Sequence, residues 1–408
     1  MTMTMNLEVP KKFLPLVGQA HQVAEEIFRP VSRKYDQEEH AYPRELDMLA
    51  ALLDGMNDGS DMGGGAGAGG VRRQENSNGE IRNGSNMSTA LGVAELCWGD
   101  VGLLLTMPRQ GLGNSAIASV ANDEQLERFR GKWAAMAITE PEAGSDSAAI
   151  RTTAVLDRET GEYVLNGEKI YVTSGERADL VVVWATLDRS LGRAAIKSFV
   201  VERSNPGMIL DRLEHKLGIR ASDTAAFRLE NCRVKPENLL GSPEVDVKRG
   251  FAGVMQTFDN TRPLVAAMAV GLTRACLEQT KELLAEAGVE VDYDKPAQSQ
   301  PAAAAEYLSM EADYEAARLL TLEATWMADN SKPNSLQASY AKAKAGRTCV
   351  DVAMRCVRLA GSRGYGEELL LEKWARDGKI LDIFEGTQQI QLLIIARQLL
   401  GKTSAELR

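Results

Sequence analysis

Among the 57 acidic residues of this 408-residue chain, one carboxylate stands out by its setting. Glu385 lies in Ile380-Leu381-Asp382-Ile383-Phe384-Glu385-Gly386-Thr387-Gln388-Gln389-Ile390, flanked by apolar residues and placed where a last helix should begin. Two readings are open. A carboxylate at a helix N-terminus favours the helix dipole by about 0.3–1 kcal/mol. Alternatively it is a general base whose pKa apolar burial raises toward neutrality. A second segment, Thr139-Glu140-Pro141-Glu142-Ala143-Gly144-Ser145-Asp146, combines small residues, hydroxyls and exposed backbone N–H groups. That combination suits a pyrophosphate or the edge of a flavin ring, and it equally describes a plain surface loop.

Other chemistries find little support. There is no G-x-S-x-G, and the three histidines (His21, His40, His215) are isolated in sequence, so neither a serine triad nor a histidine metal site is expected. The five cysteines are scattered without a Cys-x-x-Cys pair, which fits neither a disulfide framework nor a thiolate zinc site. Cys349 and Cys356, seven apart on one helix face, read as buried packing. A formal charge of −10 with no basic stripe argues against nucleic acid. No hydrophobic leader and no apolar run of membrane-spanning length is present, so the expectation is a cytoplasmic chain without a membrane span.

The elements that must position these residues read as helix, then strand, then helix. Apolar residues three and four apart predict helices from Phe13 to about Tyr35 and from Arg44 to Leu53. Ten of the 36 glycines fall between Gly55 and Gly84, a loop in composition. Within it Gly65, Gly67 and Gly70 match G-x-G-x-x-G, but no strand precedes them and no helix opens after them, so phosphate binding is not expected there. Helical spacing resumes from Met87 to Leu105 and ends near 122–130, with Asn122 as N-cap and Gln125 at the third helical position. The period then shifts to two. Tyr163–Leu165 and Lys169–Val172 about Asn166-Gly167 predict a hairpin with a type I′ turn. Leu180–Thr186, Ser198–Glu202 and Ala225–Val234 are further strands. From Phe251 onward the pattern is helical: Val265, Met268, Leu272, Cys276 and Leu283 mark one face, and Leu308, Leu319, Leu322 and Trp326 a second helix. A third carries Leu336, Tyr340, Val352, Cys356 and Leu359, and a fourth follows Gly386. Four such helices pack most simply as an antiparallel bundle. The expected fold is mostly α with a central β domain: a helical domain over 1–133, a β-barrel over 134–246 and a four-helix bundle over 247–408.

Several motifs in order and spacing resemble the acyl-CoA dehydrogenase family, from about residue 85 to residue 400. Thr139-Glu140-Pro141 through Gly144-Ser145-Asp146 is similar to its T-E-P-x-A-G-S-D signature. Asn166-Gly167-Glu168-Lys169-Ile170-Tyr171-Val172-Thr173 resembles N-G-x-K-x-(aromatic)-I/V-T, and Gly218-Ile219-Arg220 with Ser222-Asp223-Thr224 resembles G-x-R-x-S-x-T. Phe258-Asp259-Asn260-Thr261-Arg262 and Ala375-Arg376-Asp377 to Glu385-Gly386-Thr387 match the family's C-terminal domain.

The resemblance implies FAD between the β domain and the bundle, and oxidation of an acyl-CoA to trans-2-enoyl-CoA. Glu385 would remove the α-proton while the β-hydride passes to flavin N5. Thr139 and Thr173 would hydrogen-bond the flavin, Tyr171 would cover its face, and Met136, Ile138, Gly144 and Val172 would line its site, with Thr387 and Gln389 as further FAD contacts. Ser145 would sit at both the flavin and the substrate, and Asp259, Arg262 and Gly386 would meet the substrate. The implied partners are electron transfer flavoprotein as acceptor and further copies of the chain, as a homodimer or homotetramer. Where the family carries Arg-x-x-Phe-Gly for a neighbouring subunit's FAD, this chain has Ala287-Gly288-Val289-Glu290-Val291-Asp292-Tyr293-Asp294, an acidic turn. Gln-x-x-Gly-Gly is replaced by Arg358-Leu359-Ala360-Gly361-Ser362, where Arg358 is a candidate for the missing positive charge. Two alternatives follow: a subunit whose FAD site needs a heteromeric partner, and a non-catalytic acyl-CoA-binding homologue.

Overall fold

The computed structural model describes residues 9–50, 84–108, 112–245, 252–330, 332–403 and 406, with the side chains of 252–260 outside that set. The Gly65, Gly67, Gly70 motif lies outside it. Helix α1 (Leu14–Val23) runs through a π segment, Ala24–Phe28, into α2 (Arg29–Gln37). The irregular turn sits where Pro30 has no N–H to give the ladder. Residues 45–50 are helical, as expected. Then come α3 (Ser85–Gly99), α4 (Val101–Leu105), α5 (Leu112–Val120) and α6 (Asp123–Arg128). Helix α6 opens with the expected capping box of Asn122 and Gln125.

Seven strands follow: β1 (Ala134–Ala137), β2 (Thr153–Leu156), β3 (Tyr163–Thr173), β4 (Leu180–Thr186), β5 (Ile196–Glu202), β6 (Met208–Leu213) and β7 (Thr224–Val234). They form one curled sheet in the order β1-β4-β2-β3-β7-β6, with β5 on β4. Its inner face encloses Ala135, Leu165, Val181, Val183, Phe199 and Phe227. Strand β4 is buried on both faces, because Leu180 and Val182 pack outward against α5 through Ala116 and Ile117. That double cover is why it reads as a continuous apolar run rather than an alternation.

The expected hairpin at Asn166-Gly167 is absent. Strand β3 runs unbroken through both residues because β7 pairs with each half, with register shifts between Leu165 and Gly167 and again between Lys169 and Val172. Gly167 is needed for close approach instead of a turn: at its φ of 151° a Cβ would lie 2.4 Å from Thr152 Oγ1. The first bulge is stitched by the Asn231 N–H donating to Asn166 Oδ1 at 2.8 Å.

After β7 the chain is helical: α7 (Ala252–Glu286), α8 (Ala302–Asp329), α9 (Ser335–Ala360), α10 (Ser362–Tyr365), α11 (Leu371–Gly378) and α12 (Gln388–Leu400). Of the faces expected to be core, that of α7 is buried throughout. In α8 it is displaced, since Ala304, Tyr307, Met310, Ala317 and Ala324 are buried while Leu308, Leu319, Leu322 and Trp326 are half-buried. All five cysteines are buried and free. The two helical regions share one core, in which Phe28 and Trp98 join Met268, Leu272 and Trp374.

A buried ion cluster ties all three regions. Lys373 Nζ donates to Asp100 Oδ2 at 2.7 Å and to Asp377 Oδ2 at 2.5 Å. Asp100 Oδ1 caps α4 through the Leu103 N–H, and Asp377 Oδ1 accepts from the Ile219 N–H in the loop between β6 and β7. Gly218 lets that loop lie flat on α11, for a Cβ there would sit 2.5 Å from the backbone of Arg376 and Asp377. No helix among the described residues is long and apolar enough to cross a membrane.

Candidate active site

A 3-10 turn, Lys379–Asp382, and the segment 383–387 join α11 to α12, with Thr387 as the N-cap of α12. Glu385 and Gly386 both take positive φ, 56° and 93°. For Glu385 this is a sparsely populated conformation, which costs on the order of 1 kcal/mol or more unless the surroundings fix it. They do so through the carbonyls. Gln391 Nε2 donates to Glu385 O at 3.2 Å and to Gly386 O at 3.1 Å, while Lys342 Nζ donates to Gly386 O at 2.7 Å. The N–H groups of Glu385 and Gly386 have no hydrogen-bond partner among the described residues.

The Glu385 carboxylate accepts a hydrogen bond from Thr261 Oγ1 at 2.7 Å. Burial raises its pKa above the ordinary value, against the opposing pull of Thr261, Arg262 and Lys342. Burial in turn lowers Lys342 to about 8. A carboxyl that takes up and releases a proton nearer neutrality than a solvated one suits acid–base chemistry. A simple N-terminal charge on α12 would be solvated and ionised, and Thr387 already caps that helix.

A second group of residues lies at the end of β1. Glu140 is buried and accepts from the N–H groups of Arg151 at 2.6 Å and Thr152 at 3.0 Å. Lys169 Nζ, fully buried, donates to Glu140 Oε1 at 2.7 Å and Ile138 O at 3.0 Å. With the Ile170 N–H donating to Thr139 O, this pair fixes 138–140 beside β3. Thr139 and Thr173 are half-buried, and among the described residues neither hydroxyl has a side-chain partner. Tyr171 takes φ 56° and is 62% exposed. Met136 and Ile138 turn away from the sheet's inner core and pack with Ala143, Ile150, Trp184 and Ile196. Val172 is fully buried inside the sheet, so only its backbone can face a ligand. Gly144, Ser145 and Gln389 are exposed. Arg262 is buried within electrostatic reach of Glu385, and Asp259 lies on α7 with its side chain outside the described set.

Comparison with known proteins decides what this arrangement belongs to. The acyl-CoA dehydrogenase middle domain matches residues 135–232 and the C-terminal domain residues 248–400. An acryloyl-CoA reductase (NADH) of Anaerotignum propionicum is 30% identical over 94% of this chain and 93% of its own length. The chain belongs to the acyl-CoA dehydrogenase family. A probable acyl-CoA dehydrogenase of Bacillus subtilis is 33% identical over 78% of this chain and 83% of its own. The structure of butyryl-CoA dehydrogenase from Megasphaera elsdenii superposes with a TM-score of 0.83 at 29% identity, covering 97% of this chain and all of that one.

This acyl-CoA dehydrogenase relative is an oxidoreductase, and FAD is its cofactor. The residues after β1 and at the end of β3 suit a flat ring: Thr139 and Thr173 carry hydroxyls without a side-chain partner among the described residues, and Tyr171 is exposed. The candidate replacement charge does not fit as simply. Arg358 pairs with Glu306, which also binds Arg355 at 2.9 Å, so its charge is already shared on the bundle surface. The acidic turn is internally tied, Lys295 Nζ meeting Asp292 Oδ2 at 2.8 Å.

Sequence reading missed the residues that hold the site. Lys342 was legible in principle, because it lies on the helix face of Ala338, Ala345 and Cys349, where a lysine must be buried. Glu140 and Lys169 were quoted only as parts of motifs, and nothing in their spacing shows that they form an ion pair. The histidines are not isolated in space, since the rings of His40 and His215 lie 5.4 Å apart.

Proposed function

We propose that this chain catalyses the α,β-dehydrogenation of an acyl-CoA thioester to a trans-2-enoyl-CoA, with Glu385 as the base that removes the α-proton. The observation that carries the reading is the combination at 385–386: a carboxyl raised by burial beside two backbone N–H groups left open by the clamping of their carbonyls. The α-proton of a thioester is weakly acidic, and its removal places negative charge on the thioester oxygen. Backbone donors aimed at that oxygen stabilise the charge as it develops, an effect of about 2.7–4 kcal/mol per donor in enzymes of this kind of chemistry. Thr261 orients the carboxylate, while Lys342 and Gln391 hold the turn that carries it. Thr139, Tyr171 and Thr173 would hold FAD, which would supply the two-electron acceptor for the reaction.

Electron transfer flavoprotein is the proposed onward acceptor, and a homodimer or homotetramer the proposed assembly. The structure of the paired Arg358 and the acidic turn supports a second reading, in which a different partner chain completes the adenine end of the FAD site. An anaerobic absorption titration with a panel of acyl-CoA thioesters tests both. Bleaching of the flavin band by one thioester supports dehydrogenation and names its chain length. A protein that stays colourless with added FAD, and turns yellow only on co-expression with a partner, supports the second.

A further inference from the structure

We propose that Glu39, His40 and His215 form a binding site for one divalent transition-metal ion of the zinc class, joining the turn after α2 to the loop after β6. One ligand atom from each lies within 4.8 Å of the others, and His215 Nδ1 is 2.8 Å from Glu39 Oε2. Two imidazoles and a carboxylate are a donor set that suits zinc, with a fourth position left for water, and it is a poor set for magnesium or calcium.

The second observation is the state of His40. Both of its ring nitrogens are buried without a hydrogen-bond partner. Buried polar atoms without partners are rare and costly, and a metal ion would satisfy one of these two. The backbone there is held firmly: His40 takes φ 67°, its N–H donates to Arg220 O at 3.3 Å, and Arg177 Nη2 donates to the carbonyls of His40 and Ala41 at 3.0 Å each. Glu39 Oε1 accepts from the Lys216 N–H at 2.9 Å, which orients the carboxylate and turns Oε2 toward His215, whose contact with it a metal ion would replace.

The charged groups facing His40 are Lys216, Glu39, His215 and Arg177. Tetrahedral ligand atoms about 2.1 Å from zinc lie about 3.4 Å apart, so on binding the wider separations in the cluster must close and the 2.8 Å pair of His215 Nδ1 and Glu39 Oε2 must open. His215 is the group that can move, its side chain being 84% exposed. Closure would pin the N-terminal helices to the same loop that Asp377 anchors from the bundle side.

The test uses the full-length, untagged, metal-stripped flavoprotein titrated with Co2+ as a visible probe. The expected result is one Co2+ per chain with ligand-field bands, displaced by Zn2+, and a melting temperature raised by Zn2+. His215→Ala, at an exposed position that should not disturb folding, is expected to weaken Co2+ binding at least tenfold and to abolish the Zn2+ effect on melting. His21→Ala, at the one remaining histidine, should change neither. Absence of saturable binding overturns the proposal. So does binding that survives His215→Ala undiminished, or that falls equally in His21→Ala.

Discussion

The Thr261 hydroxyl donates to Glu385 Oε2 across 124 residues of sequence, at 2.7 Å. This bond favours the ionised carboxylate, whereas burial favours the neutral acid. The base must be ionised to accept the α-proton, so activity rises with pH through the Glu385 pKa. Thr261→Val removes a donor to the charged form and should move that acid limb of kcat/KM to higher pH. On the acid side of the wild-type limb the loss is expected to be about tenfold or more, the scale of one hydrogen bond to a charged group, with recovery at alkaline pH. A pH–rate profile checks this. A uniform loss at every pH would assign Thr261 to packing alone.

Glu385→Gln should lower kcat by about 10²–10⁴-fold, the usual contribution of a positioned base, while FAD stays bound. Its effect on stability has the opposite sign. A carboxyl whose folded pKa is raised holds its proton in the folded chain at pH values where the unfolded chain has lost it. Folding stability therefore falls as pH rises from the ordinary value of 4.5 through the raised one. Glutamine removes that penalty. The variant should melt above wild type at pH 8, and the difference should vanish below pH 4.5. Calorimetry across this range measures it.

The difference between what was legible and what was not has a physical pattern. Long periodic helices such as α7 and α9 announce themselves because their apolar stripes are local. Strands β1, β2 and β6 did not, because four to six residues with mixed burial give too little periodicity. Asn166-Gly167 misled because the same dipeptide suits a type I′ turn and a bulge, and the pairing of β7 with both halves of β3 decides between them. The apolar setting of Glu385 was readable because its apolar neighbours are adjacent in sequence. The groups that tune it are not: Thr261 and Lys342 arrive from α7 and α9. His40 and His215 are likewise 175 positions apart in number and meet only through the docking of the loop after β6.

Lys169 is placed to act on the proposed FAD contact Thr139 without touching the ligand. Its ammonium joins Glu140 to Ile138 O and so sets the line of Thr139 against β3. Lys169→Met leaves Glu140 with its two backbone donors but frees the Ile138 carbonyl. We expect FAD to bind about tenfold more weakly, matching the loss of one hydrogen bond's worth of ordering. Flavin-fluorescence titration gives the affinity. Lys169→Met with Glu140→Gln should restore the thermal stability lost to an unpaired buried carboxylate and should leave FAD binding weak. Recovery of both would show that the pair acts on the fold only.

Lys373 sits fully buried between two carboxylates, and its pKa is raised because Asp100 and Asp377 outweigh the burial that opposes them. A lysine raised in this way stabilises the fold fully below its ordinary value of 10.5, so the whole effect is present at neutral pH. Lys373→Met keeps the apolar stem and removes the charge, leaving two buried carboxylates facing each other. Breaking such a cluster from one side costs about 3–5 kcal/mol. The loss should shrink as pH falls and the carboxyls take up protons, which separates it from a packing defect that pH would not relieve. Because Asp100 caps α4 and Asp377 holds the Ile219 N–H, the damage should reach the loop between β6 and β7. Hydrogen exchange at Ile219 and Leu103 should accelerate together, ahead of the amides of α8, which no member of the cluster touches.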